Sequence, residues 1–272
     1  HRDLHSFPTR RSSDLDALVK TLACVGYFGL KGNIGIVLGL PYHSQEQFDS
    51  EKSEIISLLS SPHVMVYRGQ AREITVDKVW VMPEGYGSLI WSEAQNKRTS
   101  SPDFPNLSVA IVDIGHQTTD FLAIDRFRFA RGASQSESFG MAQFYERVAA
   151  QIDGADSQSL SLIESVHKAE GERFYRPKGA LRPTDLDEIL PTLRKSFARE
   201  LSQRFLNWLP ERSTDVIVTG GGGEFFWSDL RPLLKEAKLK GHLAKPSRQA
   251  NALGQYIYGE AQLANLTAAA AG

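Results

Sequence analysis

The chain has 272 residues and 41% apolar content, enough for one large packed domain or two small ones. Its 31 basic residues are balanced by 32 acidic ones, so the strong positive field of a nucleic-acid binder is missing and direct nucleic-acid binding is not expected. A single cysteine, Cys24, excludes an internal disulfide and a cysteine zinc cluster, and no apolar run approaches the roughly 20 residues of a membrane span. A cytoplasmic protein with no membrane partner is the expectation.

Residues 1–15 have no hydrophobic periodicity, and one permitted codon choice for them matches a widely used sequencing-library adapter. They are set aside as a cloning scar would be, and the natural sequence is taken to enter in mid-domain near Asp16. Helical spacing of Leu18, Val19, Leu22 and Val25 predicts a helix over 16–27. The apolar run Ile34 to Leu40 predicts a strand covered on both faces, ended by Pro41. An amphipathic helix is expected over 45–59, short strands over 74–76 and 79–82, and a helix over 86–94. The Asn-, Ser- and Pro-rich stretch 96–106 reads as a linker.

Three strands are then predicted at 109–113, 119–124 and 127–130, joined too tightly for crossovers and therefore antiparallel. The alternation Arg126-Phe127-Arg128-Phe129 fits a half-exposed strand. Helices are expected over 141–152, 160–170 and 186–209, the last bending at Pro191. A buried strand, Val216 to Thr219, runs into Gly220, Gly221, Gly222 and Gly223, with a helix expected from Glu224 onward. A final helix spans 250–263, with a frayed tail from Thr267.

The chemistry concentrates in Val109-Ala110-Ile111-Val112-Asp113-Ile114-Gly115-His116-Gln117-Thr118-Thr119-Asp120-Phe121. A strand ends in an acid, a turn carries glycine and hydroxyl residues, and a second strand leaves. Such a turn can hold a polyphosphate. Gly115 lets backbone approach phosphate oxygens, turn N–H groups and the hydroxyls of Thr118 and Thr119 donate, and Asp113 can orient water on Mg²⁺. The glycine run between a buried strand and a helix reads as a ligand-facing turn.

These residues resemble the actin-like superfamily and, within it, the plasmid-segregation family called ParM or StbA. The resemblance covers residues 16–265. Asp113, Ile114, Gly115, Thr118, Thr119, Asp120 and Phe121 match its second phosphate loop, with His116 and Gln117 in the variable positions; Val216 to Gly223 matches its adenosine motif. The resemblance implies an α/β, actin-like (ribonuclease H-like) two-domain ATPase fold binding ATP or ADP with Mg²⁺. Its first domain would be incomplete over 16–108, and the second would span 109–272, with the last helix packing back on the first. Glu84, in Met82-Pro83-Glu84-Gly85, occupies the place where relatives position the attacking water, and Asp113 is the other candidate catalytic residue. Glu164 and Lys168, four apart on a predicted helix, resemble a pair that contacts the nucleotide sugar, although a plain surface ion pair fits equally.

The implied partners are further copies of the chain, forming a filament, and a DNA-bound adaptor protein. The family's first phosphate loop has no counterpart here, so hydrolysis belongs to the intact parent protein. The alternatives are a sugar or acid kinase of the same superfamily and a non-hydrolysing nucleotide-binding scaffold.

Overall fold

The computed structural model describes residues 12–96 and 102–271. Most of the adapter-like stretch, residues 1–11, and the middle of the expected linker, residues 97–101, lie outside them. The described chain forms two compact units, one of 12–40, 46–82 and 258–271, the other of 41–45 and 83–257.

In the first unit, helix α1 (Ser12–Phe28) precedes β1 (Gly32–Leu40), α2 (Gln45–Leu59), β2 (Pro62–Tyr67) and β3 (Gln70–Pro83). α1 begins before Asp16, inside the stretch set aside as adapter-like. The three strands form a sheet in the order β1-β3-β2. β2 and β3 are an antiparallel hairpin turned at Arg68 and Gly69, both with positive φ, as a two-residue turn matched to strand twist requires. Val25, Ile74 and Val76 make its core with Leu22, Ile34, Ile36, Met65 and Val79. Two short strands were expected where β3 runs unbroken for 14 residues. The exposed Asp77 and Lys78, which mimic a turn in sequence, are carried through it.

The second unit contains α3 (Tyr86–Asn96), β4 (Ser108–Ile114), β5 (Thr119–Asp125), β6 (Arg128–Phe129) and β7 (Gln135–Glu137). Helices α4 (Met141–Ala149) and α5 (Leu160–His167) follow, then the short pair β8 (Phe174–Tyr175) and β9 (Thr184–Asp185). The chain continues through α6 (Leu190–Trp208), β10 (Asp215–Thr219), α7 (Gly220–Glu236), β11 (Lys240–Leu243) and α8 (Ala250–Ala271), whose residues from Tyr258 belong to the first unit. The main sheet runs β11-β10-β4-β5-β6, with β7 also on β5. β11, β10 and β4 are parallel; β4, β5 and β6 are antiparallel hairpins, as expected from their short connections.

Strand alternation divides the apolar residues between two faces. Ala110, Val112, Ile114, Val216 and Val218 pack with Phe144, Phe197, Phe205 and Phe226. Val109, Ile111 and Ile217 pack with Leu89, Phe104 and Ala250. Leu89 is fully buried there, so α3 belongs to the second unit although it precedes the expected linker.

Several element limits differ from expectation. β6 covers only Arg128–Phe129, because Arg126 and Phe127 form a turn with φ of 49° and 60°. Pro191 sits in the first turn of α6, where a missing N–H costs nothing, so it starts the helix instead of bending it. α5 ends at His167, and Lys168 is extended. The tail beyond Thr267 is helical to Ala271.

Candidate phosphate and nucleoside site

β4 and β10 lie side by side and parallel, pairing Asp113 with Thr219. Both strands end at one edge, so the turn after Asp113 and the glycines after Thr219 are brought together. A Cβ on Gly220 would lie 2.5 Å from Asp113 Oδ1 and would strike the Ile114 carbonyl. One on Gly222 would strike the Ile114 side chain. Gly220 also has φ +82°, so glycine is required there twice over.

The four glycines are not a turn ahead of a helix from Glu224; they are the first turn of α7. Glycine is a poor helix former, but no larger residue fits against Ile114, so packing overrides propensity. Thr219 is the N-cap, yet no side chain caps α7. Its hydroxyl is engaged elsewhere, 2.8 Å from Ser88 Oγ and donating to the Ser247 carbonyl at 3.3 Å. The Gly220 N–H donates to the Ser247 carbonyl at 3.3 Å, so the helix presents the N–H groups of Gly221 and Gly222 and its positive end.

The hairpin turn is oriented by the start of α4. Met141 N donates to the Gly115 carbonyl at 3.0 Å and Ala142 N to the His116 carbonyl at 2.8 Å. In a trans peptide the C=O and the following N–H point in opposite directions. The N–H groups of His116 and Gln117 must then point away from α4, and both residues are exposed. The hydroxyls are less free than expected. Thr119 is buried and donates to the Phe139 carbonyl, while Thr118 donates to Asp120 Oδ2 at 3.2 Å. Thr118 remains partly exposed; the Thr119 hydroxyl is a structural donor instead of a ligand-facing one.

Glu84 joins this edge. Gly85 (φ +87°) packs so closely on β4 that a Cβ there would lie 3.3 Å from that of Asp113. Burial, and then the charge of Asp120, push the Glu84 carboxyl up to about 7. Burial followed by the charges of Asp120 and Glu84 raises Asp113 to about 7. Asp120 pairs across the strands with Asp113 and is also raised by burial, a shift opposed by Ser136, Thr118 and His43. Its Oδ1 is buried without a hydrogen-bond partner. Three carboxylates thus crowd one edge, and burial raises each of them, Glu84 and Asp113 to about 7. Among the described residues no group of three His, Cys, Asp or Glu is set to ligate a metal directly.

Glu164 is exposed on α5, and Lys168 lies beyond its end, so the two do not share a helical face as expected. Among the described residues no ion pair joins them. His167 instead bonds Tyr145 at 2.7 Å and packs edge-on to Phe225. The sequence left Asp120 out of the candidate site, although the quoted motif contains it. Ser88 and Gly140 carry no local signal; their places follow from contacts with Thr219 and with the turn, 131 and about 24 residues away in sequence.

The family described as actin-like proteins, N-terminal domain, matches residues 2–87, a span that includes residues 2–15. The archaeal actin homologue MreB-like C-terminal family matches residues 111–232. Among solved structures, the archaeal actin homologue Ta0583 in complex with ADP is 18% identical, with a TM-score of 0.73, covering 90% of this chain and 77% of that one. The actin-like protein Alp7A is 17% identical over 93% of this chain and 76% of that one, with a TM-score of 0.72. Bacillus thuringiensis ParM with ATP is 17% identical over 92% of this chain and 73% of that one, with a TM-score of 0.67. A comparison with curated sequences finds no match. With residues 2–87 and 111–232 matched by two actin-like families and its fold shared with archaeal and ParM actin homologues, the chain belongs to the actin-like superfamily.

Proposed function

We propose that this chain carries the nucleotide site of a filament-forming ATPase that segregates plasmid or other DNA through an adaptor protein. The observation that carries the reading is the adjacency of Asp113 and Gly220, which sets a donor-rich turn beside a helix start that has no side-chain cap. The N–H groups of His116 and Gln117 face the phosphates. Gly221, whose Cβ position is open apart from the Arg248 side chain, gives the nucleoside a surface without a side chain. The donor set fits a magnesium nucleotide: Asp113 would hold the cation through water, and the partnerless Asp120 Oδ1 gives such water a second acceptor. Bound Mg²⁺ supplies charge neutralisation at the phosphates. Glu84 aligns the attacking water and, with its carboxyl raised to about 7, can accept its proton. Relatives solved with ADP and with ATP support the ligand class.

The test is sedimentation and light scattering with ATP, with ADP and without nucleotide, alongside calorimetric titration of each. ATP-dependent pelleting is expected of a filament protein. Binding without pelleting would favour a kinase or a scaffold, and no binding would sink the nucleotide reading.

A further inference from the structure

The turn that presents the donors is held from behind by residues 139–142, and that strap has an unusual anchor. The Phe139 carbonyl accepts the Thr119 hydroxyl, and Gly140 presses on the turn so closely that a Cβ would lie 2.7 Å from the His116 carbonyl. The Phe139 ring is buried. It stacks on Phe197 at 4.4 Å between centroids, with the guanidinium of Arg204 over it at 4.3 Å and that of Arg147 at 5.6 Å. Arg147 pairs with Glu200 at 2.6 Å, Glu200 with Arg204 at 2.9 Å, and Arg204 with Glu137 at 3.1 Å. Glu137 is itself the cross-strand neighbour of Thr119.

We propose that Phe139 is a positioning residue for the phosphate turn, clamped by Arg204 and Arg147 so that α6 sets the direction in which the His116 and Gln117 N–H groups point. The proposal rests on the nucleotide reading above. Phe139 touches no ligand in it. A cation on a ring face adds rigidity along a direction that an aliphatic side chain of similar bulk cannot supply. Loosening the ring lets the two peptide planes rock, which weakens phosphate binding and leaves contacts at the glycine run unchanged.

The experiment uses the full chain and compares MgADP with adenosine by calorimetric titration. Phe139→Leu is expected to weaken MgADP about tenfold with adenosine within about twofold, and Arg204→Gln to weaken MgADP about threefold. In the Phe139→Leu background, Arg204→Gln is expected to have no further effect, since its action passes through the ring. Unchanged MgADP affinity in Phe139→Leu, parallel loss of both ligands, or independent effects of the two substitutions would overturn the role while leaving nucleotide binding intact. A wild-type chain that binds neither ligand removes the nucleotide reading and this role together. If Phe139→Leu proves unfolded by circular dichroism, Arg204→Gln on its half-exposed side chain decides alone: selective loss of MgADP supports the clamp, and no loss refutes it.

Discussion

The carbonyl oxygen of Gly87 stands where a Cβ on Gly254 would have to be. A Cβ on Gly87 would in turn strike the Asn251 carbonyl, so α3 and α8 cross backbone against backbone. Alanine at either position must separate the helices, beside the bond between Ser88 and Thr219. Gly254→Ala is expected to cost about 3 kcal/mol or more, and the double variant with Gly87→Ala much less than the sum, measured by urea denaturation.

The glycine run divides into positions that serve packing and one that does not. Gly220→Ala and Gly222→Ala are each expected to cost about 2–4 kcal/mol, because Asp113 and Ile114 are main-sheet residues that cannot retreat. At Gly221 a Cβ meets only the flexible Arg248 side chain, at 3.7 and 3.8 Å. Gly221→Ala should leave stability unchanged or raise it by up to about 1 kcal/mol. Nucleotide affinity should nonetheless fall about tenfold or more, which calorimetric titration would measure.

Sequence patterning revealed one half of this site much better than the other. The β4 and β5 hairpin is written locally, as apolar alternation around Asp113, Gly115 and Thr118. The parallel register of β4 with β10 links residues about a hundred positions apart, and no local pattern records it. The start of α7 was placed four residues late because glycine argues against helix, and only the Ile114 contact explains why the helix tolerates it. The proton affinity of Glu84 is equally hidden, since it depends first on burial and then on the charge of Asp120, from a strand far along the chain.

Crowded carboxylates set the pH dependence. Glu84 and Asp113 titrate near 7 in the fold, against 4.5 and 3.8 as ordinary groups, so between these limits the folded chain holds more protons than the unfolded one. Stability therefore falls as pH rises through this window and levels off above about 7. Asp187 and Glu200 shift downward and lose their contribution only in more acid solution. The melting temperature should be higher at pH 5.5 than at pH 8.0 by about 4 °C, and Asp113→Asn should flatten the slope while abolishing MgATP binding. Differential scanning calorimetry at the two pH values checks both.

Glu84→Gln keeps the side chain's size and removes its capacity to accept a proton. Affinity for MgATP is expected to stay within about threefold, while phosphate release in the intact protein slows about 10- to 100-fold. Single-turnover kinetics separate the two, and unchanged turnover would remove Glu84 from the chemistry.

Thr219 is a residue type suited to closing the start of a helix, and here its hydroxyl is spent on Ser88 and Ser247. In the nucleotide reading proposed above, an anion or ribose bound at Gly221 and Gly222 would supply the partners that Thr219 does not. On that reading, recognition and local ordering would be a single event. Amides of Gly221 and Gly222 should exchange with deuterium quickly in the empty protein and slowly once the guest arrives.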